Sequence, residues 1–594
     1  MKNRDRIAPM NRIDKKGILP RTGKQKNSLK DSYRTTQYKM ALAISILVLC
    51  IALTWGFPLS AALRFPNPSS EFSTITRYPN LLNAGAEELI AGLNNRSWTS
   101  VELTKAYILR INDVNPSLKA ITELNPDALS IAASLDAERR NGTIRSPLHG
   151  IPIFIKNNIA TNDLMNNTAG SYSLLGARVP RDALVAAKLR AAGVIILGKS
   201  NLSQWANFRS FNSSNGWSSY GGQVTGAYYP NMDPSGSSSG SGVASSIGLA
   251  FASLGTETSG SIISPSSVNN IVGIKPTVGL TSRSLVIPIS EHQDTVGPMA
   301  RTVSDAAFLL SIIAGKDVSD NYTLAQPFDT PPDYTLALNS SSLRGARIEI
   351  VRNVLPKPRK SNQPLLDAFE EAIEVMKKAG TVLADTAFSS YSDYTNNNGV
   401  ISLKVLNGDF ISDLPKYLSE LTTNPNNITN LADAANYTRN DPLEEYPQRD
   451  IGIWDEALAG FNNTSPQFWE AYQTTSFWGN EGGVTGALKA GDFDALILPS
   501  DFAWDVPAFS GLPLITVPLG FYPSNITVEK SQPWGLVEVA PNIPFGISFL
   551  GPKWSEELLI GLAYSYEQRT QTRNKIQPYL IPMPQLCDVV SKRR

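Results

Sequence analysis

"PSGSSSGSGVASSIGLAFASLGTETSGSI", residues 234–262, reads at its start as a flexible spacer and in its remainder as buried structure. The eight residues Ser235 to Gly242 are all Ser or Gly. A spacer is polar on both sides, yet this run passes straight into "VASSIGLAFASLG", residues 243–255. The small and apolar residues there predict a tightly packed buried helix. "TETSGSI" then makes a second small-residue turn and delivers Ser261 into another apolar stretch. Small residues at two turns let backbones approach closely and leave N–H groups aimed at one point, as an oxyanion-binding site requires.

The surrounding chain supplies a frame for such a site. "IPIFI" (151–155), "AGVIILG" (192–198), "DALILPS" within 488–500 and "PLITVPLG" (513–520) are short apolar runs of the buried-strand type. Between them lie helical patterns. "SVELTKAYILRIN", residues 100–112, places Val101, Leu103, Ile108 and Ile111 at helical intervals with Ser100 as N-cap, and residues 125–142 read as a second helix ended by Gly142. Helices alternating with buried strands predict an α/β fold with a largely covered sheet. Residues 355–480 are polar and carry no chemical motif, and read as a helix-and-loop insertion over one face of the core.

The charge is near balance overall, with 53 Lys and Arg against 52 Asp and Glu, but unevenly placed. Residues 1–39 carry 12 basic and 3 acidic residues; the remaining 41 and 49 make an acidic body, which gives no support for nucleic-acid binding. Residues 40–63, "MALAISILVLCIALTWGFPLSAAL", hold no charge and are long enough to span a bilayer. The basic flank predicts a cytosolic N-terminus with the rest translocated, either as an uncleaved signal anchor or after cutting near Ser60, Ala61 and Ala62. Twelve Asn-X-Ser/Thr sequons beyond residue 64 fit a glycosylated luminal or extracellular domain in the secretory pathway. Only two cysteines are present, and Cys50 lies inside the apolar segment, so no disulfide framework holds the exported part. The expected organisation is a basic segment 1–39, the apolar segment 40–63, a connector 64–82, one large domain 83–575 and a tail 576–594.

Two histidines, His149 and His292, leave little room for His-based chemistry. Zinc sites built on several histidines are excluded, no phosphate-binding G-x-x-x-x-G-K-[ST] occurs, and no metal or cofactor is implied. His149, in "PLHGIPIF", reads as a hydrogen-bonded structural residue.

Taken in order, these segments resemble the amidase signature family. Ser235-Gly236-Ser237-Ser238-Ser239-Gly240 stands at its Gly-Gly-Ser-Ser-Gly-Gly element and "GTETSGSI", 255–262, at its Gly-Thr-(Asp/Glu)-x-Gly-Gly-Ser-Ile element, with no gap between. "PLHGIPIFIKNNIAT" (147–161), "NIVGIKPTVGL" (270–280), "DTVGPMARTVSDAA" (294–307), "GLPLITVPLG" and "PFGISFLGPKWSEELLIGLAYSYEQRT" follow suit, so the resemblance runs from about 86 to 573. It implies one large domain with a central mixed sheet covered by helices on both faces. It also implies a Ser-Ser-Lys triad: Ser261 as nucleophile, Ser237 as proton relay held by a cis peptide, and Lys156 as a base kept neutral by burial. The backbone amides of Thr258, Ser259, Gly260 and Ser261 would bind the oxyanion. Ser238 and Ser241 are expected to be structural.

Departures from the family pattern are Ser235, Ser239 and Ser259, Asn157 in place of a common Asp, and Ile263 in place of a common Arg. The last suggests an uncharged acyl group. The implied activity is hydrolysis of the C–N bond of a small-molecule carboxylic amide. The alternatives are a secreted non-catalytic protein retaining the fold and a glutamine amidotransferase-type subunit. The sequence carries no signal for oligomeric state.

Overall fold

The computed structural model describes residues 78–590, so the readings for 1–39, 40–63 and the connector up to 77 lie outside the described residues. Eleven strands form one mixed sheet. In chain order they are β1 (Ile121–Leu124), β2 (Pro152–Lys156), β3 (Ile195–Ser200), β4 (Ser253–Glu257), β5 (Val272–Lys275), β6 (Thr295–Ala300), β7 (Arg347–Val351), β8 (Val382–Thr386), β9 (Ala495–Pro499), β10 (Leu514–Phe521) and β11 (Pro544–Leu550). Across the sheet they run β1-β3-β2-β4-β6-β5-β10-β11-β9-β7-β8. β2 is parallel to both β3 and β4, and β7 is parallel to both β8 and β9. The pairs through the middle, from β4 to β9, are antiparallel. Every residue of β2 to β6, β9 and β11 is buried. Successive side chains of a strand point to opposite faces, so burial throughout means that both faces of the sheet are covered.

Helix α1 (Ser100–Leu118) begins one residue earlier than the sequence suggests, because Thr99, not Ser100, is the cap. Thr99 Oγ1 accepts from the Glu102 amide while the Glu102 carboxylate accepts from the Thr99 amide, a reciprocal capping box. The Ser100 amide instead donates to Asp136 at 2.7 Å, on α2 (Ala128–Arg140). Gly142 follows α2 at φ +87°. His149 is buried with Nε2 3.0 Å from the Leu135 carbonyl, a structural position.

The opening stretch folds differently from its expected outline. Helix α3 (Ser239–Ser246) starts inside the Ser/Gly run and stops where the predicted helix was to continue. Gly248 is the reason: its φ is +64°, and a Cβ there would stand 2.1 Å from the Leu81 carbonyl oxygen. Beyond it the chain leads into β4, so one apolar segment is half helix and half strand. Helix α4 (Ile263–Val268) follows the second turn.

Residues 355–480 hold five α-helices, but they are not only an insertion. Helix α5 (Gln363–Lys378) buries Leu365, Phe369, Ala372, Ile373 and Met376, one stripe at helical spacing, and β8 is an edge strand of the main sheet. The longest helix among the described residues, α6 (Tyr391–Ser419), starts beyond β8.

Candidate active site

Lys156 is the last residue of β2, beside the end of β4. Its side chain is fully buried, and Nζ lies 2.8 Å from Ser237 Oγ, 2.9 Å from Thr256 Oγ1 and 3.2 Å from the Thr256 carbonyl. Three acceptors match the three donors of an ammonium. A neutral amine keeps two donors for Thr256 and turns its lone pair to the Ser237 hydroxyl, so the pocket accommodates both protonation states. Burial pulls the lysine down from 10.5 to about 7, against the opposing pull of Asp294 and Glu257. Depression alone does not identify a base. Lys199 is equally buried and also lowered to about 7, but its Nζ donates to the Ile159 carbonyl and to Asn167 Oδ1 at 2.8 Å, with no serine hydroxyl among its partners.

Ser237 is fully buried, and the Gly236–Ser237 peptide is cis. Ser238 and Ser241 stitch α3 to β4: their hydroxyls donate to the carbonyls of Thr256 and Leu254, each at 3.0 Å. Two further bonds hold the Ser/Gly loop against the turn that carries Ser261. The Ser238 amide donates to the Ser261 carbonyl at 3.1 Å, and Ser235 Oγ lies 2.7 Å from Ser264 Oγ. Ser261 is 8 % exposed, and its hydroxyl makes no hydrogen bond among the described residues. The fold thus gathers Lys156, Ser237 and Ser261 from three chain segments.

The 258–261 turn is tethered on both sides by carboxylates. Thr258 Oγ1 donates to Asp294 Oδ1 at 2.5 Å, and Asp294 Oδ2 accepts from the Ile289 and Ser290 amides. Ser259 Oγ donates to Asp505 Oδ1 at 2.8 Å; Asp505 Oδ2 accepts from Tyr394 and Asn398, one helical turn apart on α6. Gly260 has φ +79°, and a Cβ there would lie 2.8 Å from the Trp504 ring. The Glu257 carboxylate accepts from the Ile262 and Ile263 amides at 2.6 and 2.9 Å and is faced by the Gly260 amide. The amides of Thr258, Ser259 and Ser261 donate to no acceptor among the described residues.

Sequence reasoning missed Thr256, Asp294, Asp505, Tyr394 and Asn398. Thr256 sits inside the quoted Ser261 element, but its contact with Lys156 follows from strand pairing. Tyr394 and Asn398 lie far along the chain from Ser261 and meet its turn through Asp505, which accepts from Ser259. Two other readings change. Asn157 accepts from the Thr168 amide and donates to Thr122, a structural role, and Ile263 is fully buried in an apolar cluster with Leu498 and Leu514, so it packs rather than faces open space. Glu291, His292 and Asp409 hold ligand-type atoms within 4.8 Å of one another, but Asp409 is already bonded to His292, Ser290 and Asn463, a closed network.

A strained segment adjoins the site. Trp205, Ala206 and Asn207 have φ of 51°, 56° and 69°, three successive left-handed residues without a glycine. Each costs about 1–3 kcal/mol and persists only where its surroundings impose it.

The Amidase family model matches residues 102–560. A protein of Arthroderma benhamiae whose name assigns it to the amidases is 52% identical over 535 residues, covering 86% of this chain and 90% of that one. A glutamyl-tRNA(Gln) amidotransferase component from Chloroflexus aurantiacus is 42% identical, over only 49% of this chain and 57% of its own. Among solved structures, the peptide amidase of Stenotrophomonas maltophilia is 36% identical with a TM-score of 0.75, covering 84% of this chain and 99% of that one. An amidase family protein of Bacillus anthracis has 29% identity and the same TM-score, covering 87% and 96%. With its mixed eleven-stranded sheet and these matches along most of its length, the chain belongs to the amidase family.

Proposed function

We propose that the protein hydrolyses carboxylic amides through an acyl-enzyme on Ser261, with Ser237 as proton relay and Lys156 as base. The observation that carries this reading is the fully buried Lys156 amine, lowered to about 7, 2.8 Å from the Ser237 hydroxyl in the loop bonded to the Ser261 turn. Ser261 Oγ attacks the amide carbonyl as its proton passes to Ser237 and the Ser237 proton to Lys156 Nζ. The free amides of the 258–261 turn receive the developing oxyanion, each worth on the order of 3 kcal/mol. The ammonium then returns its proton through Ser237 to the leaving nitrogen, the C–N bond breaks, and water releases the acid by the reverse route. No cofactor enters these steps. The peptide amidase likeness makes peptide-like carboxamides the substrate class to test first. Purified protein should be labelled by a fluorophosphonate at Ser261 and release ammonia from such amides, and Ser261→Ala should lose both. Unchanged turnover in that variant refutes the assignment.

We further propose that the catalytic domain is luminal or extracellular, with residues 40–63 as cleaved signal or membrane anchor. Among the described residues no helix is long and apolar enough to cross a membrane, so membrane attachment rests on that segment. Nine of the twelve sequon asparagines are exposed on the fold, which supports glycosylation. Terminal sequencing and glycan mapping of protein expressed in a eukaryotic host test this.

A further inference from the structure

The left-handed segment Trp205–Asn207 has a purpose readable from what holds it and what it holds. Its two flanks are tied to one buried side chain, Glu444. Gln204 Nε2 donates to Glu444 Oε2 at 2.5 Å, and Arg209 Nη1 donates to the same oxygen at 2.9 Å. Glu444 Oε1 accepts from Ser171 Oγ and from the Tyr172 amide, each at 2.7 Å, and Arg209 Nη2 donates to the Glu444 and Arg449 carbonyls. Both members of the ion pair are buried, with side chains 3% and 0% exposed. A clamp of this kind over-determines the backbone between Gln204 and Arg209.

What the clamped turn presents is Asn207, an exposed side chain between the buried Trp205 and Phe208. A Cβ built on Gly236 would stand 3.0 Å from Asn207 Nδ2, so this carboxamide lies over the peptide that precedes Ser237. It is oriented by a chain of bonds: Asn207 Nδ2 donates to Asn215 Oδ1 at 3.2 Å, Asn215 Nδ2 donates to Asp233 Oδ2 at 3.3 Å, and Asp233 Oδ1 accepts the Ser235 amide at 2.7 Å. That leaves one Nδ2–H and the whole of Oδ1 without a partner among the described residues. A fixed donor and acceptor side by side complement another amide group.

We infer that Asn207 is a substrate-binding residue that hydrogen-bonds an amide group in the acyl part of the substrate, and that Glu444 is a positioning residue that holds it over the Ser/Gly loop. The inference rests on the amidase reading and names its substrate class: carboxamides whose acyl portion carries a second amide, as in an N-acylated amino-acid amide. The test compares N-acetylphenylalaninamide with 3-phenylpropanamide, which shares the ring and the scissile carboxamide but lacks the acetamido group. The wild-type protein should favour the former by about tenfold or more in kcat/KM. Asn207→Gly, which suits the left-handed backbone, should erase that preference, lowering kcat/KM for the acetylated substrate about tenfold more than for 3-phenylpropanamide. Glu444→Gln should weaken the same preference while Ser261 stays reactive to fluorophosphonate. A wild-type protein that hydrolyses 3-phenylpropanamide without preferring the acetylated substrate overturns the inference alone, as does an Asn207→Gly variant that keeps the preference or loses both activities equally. No hydrolysis of either compound and no labelling of Ser261 overturns the amidase reading with it.

Discussion

Replacing Lys156 with methionine separates the chemistry of the site from its stability. Burial carries this amine from 10.5 to about 7. At pH 7 an ordinary lysine is neutral in roughly 3 molecules in 10,000, whereas one at about 7 is neutral in about half, a gain near 10³-fold in competent base. Wild-type kcat/KM should therefore rise with pH through about 7 and level off above it. Lys156→Met should lose that limb and fall by about 10³-fold, within the range for a general base. Stability should respond in the opposite sense. A lysine whose folded value lies below its unfolded one binds more protons in the unfolded chain between about 7 and 10.5, so it destabilises the fold most below that window and its cost fades as pH rises through it. The full cost at low pH is on the order of 5 kcal/mol before the lost hydrogen bonds are counted. Lys156→Met, similar in length and apolar, should then unfold at higher denaturant than wild type at pH 6, with the difference shrinking toward pH 9. Ammonia release across pH 5–9 and urea unfolding at both ends provide the readouts. A variant retaining activity within tenfold of wild type, or a wild-type profile flat from pH 6 to 8, refutes the reasoning.

Gly260→Ala drives a Cβ to 2.8 Å from the Trp504 ring at φ +79°, so the turn must shift; kcat/KM should drop about 10²-fold and the fold should lose about 1–3 kcal/mol, and normal kinetics would show that the turn tolerates displacement. Gly248→Ala meets the Leu81 carbonyl at 2.1 Å at φ +64° and should destabilise the fold by about 1–3 kcal/mol, read as a lower urea midpoint; an unchanged midpoint would show that α3 can end without a glycine.

Much was legible along the chain because the relevant signals are local. Continuous apolar runs such as "IPIFI" and "PLITVPLG" predict strands covered on both faces, and the two Ser/Gly turns mark where backbones crowd. Ser237, Ser261 and Lys156 carry family motifs that need no coordinates to find. The helix predicted over 243–255 failed because an apolar stretch does not say where it changes period; Gly248 and its contact with Leu81 decide that. The cap on α1 was one residue out because Thr99 and Ser100 are chemically alike, and only the reciprocal bond with Glu102 tells them apart.

The fold class and the family were readable from the chain alone, and Lys156, Ser237 and Ser261 stood out there as candidates, since each reading rests on side-chain type and short-range order. Tertiary structure alone decided the surroundings of those three residues. The lowered Lys156 arises because a two-sided sheet excludes water from the end of β2, and Lys199, with the same burial, is distinguished only by its partners. Likewise Asp294, Asp505 and Glu444 act across dozens to hundreds of residues. Their carboxylates matter through distance and direction, and those quantities exist only once the chain has folded.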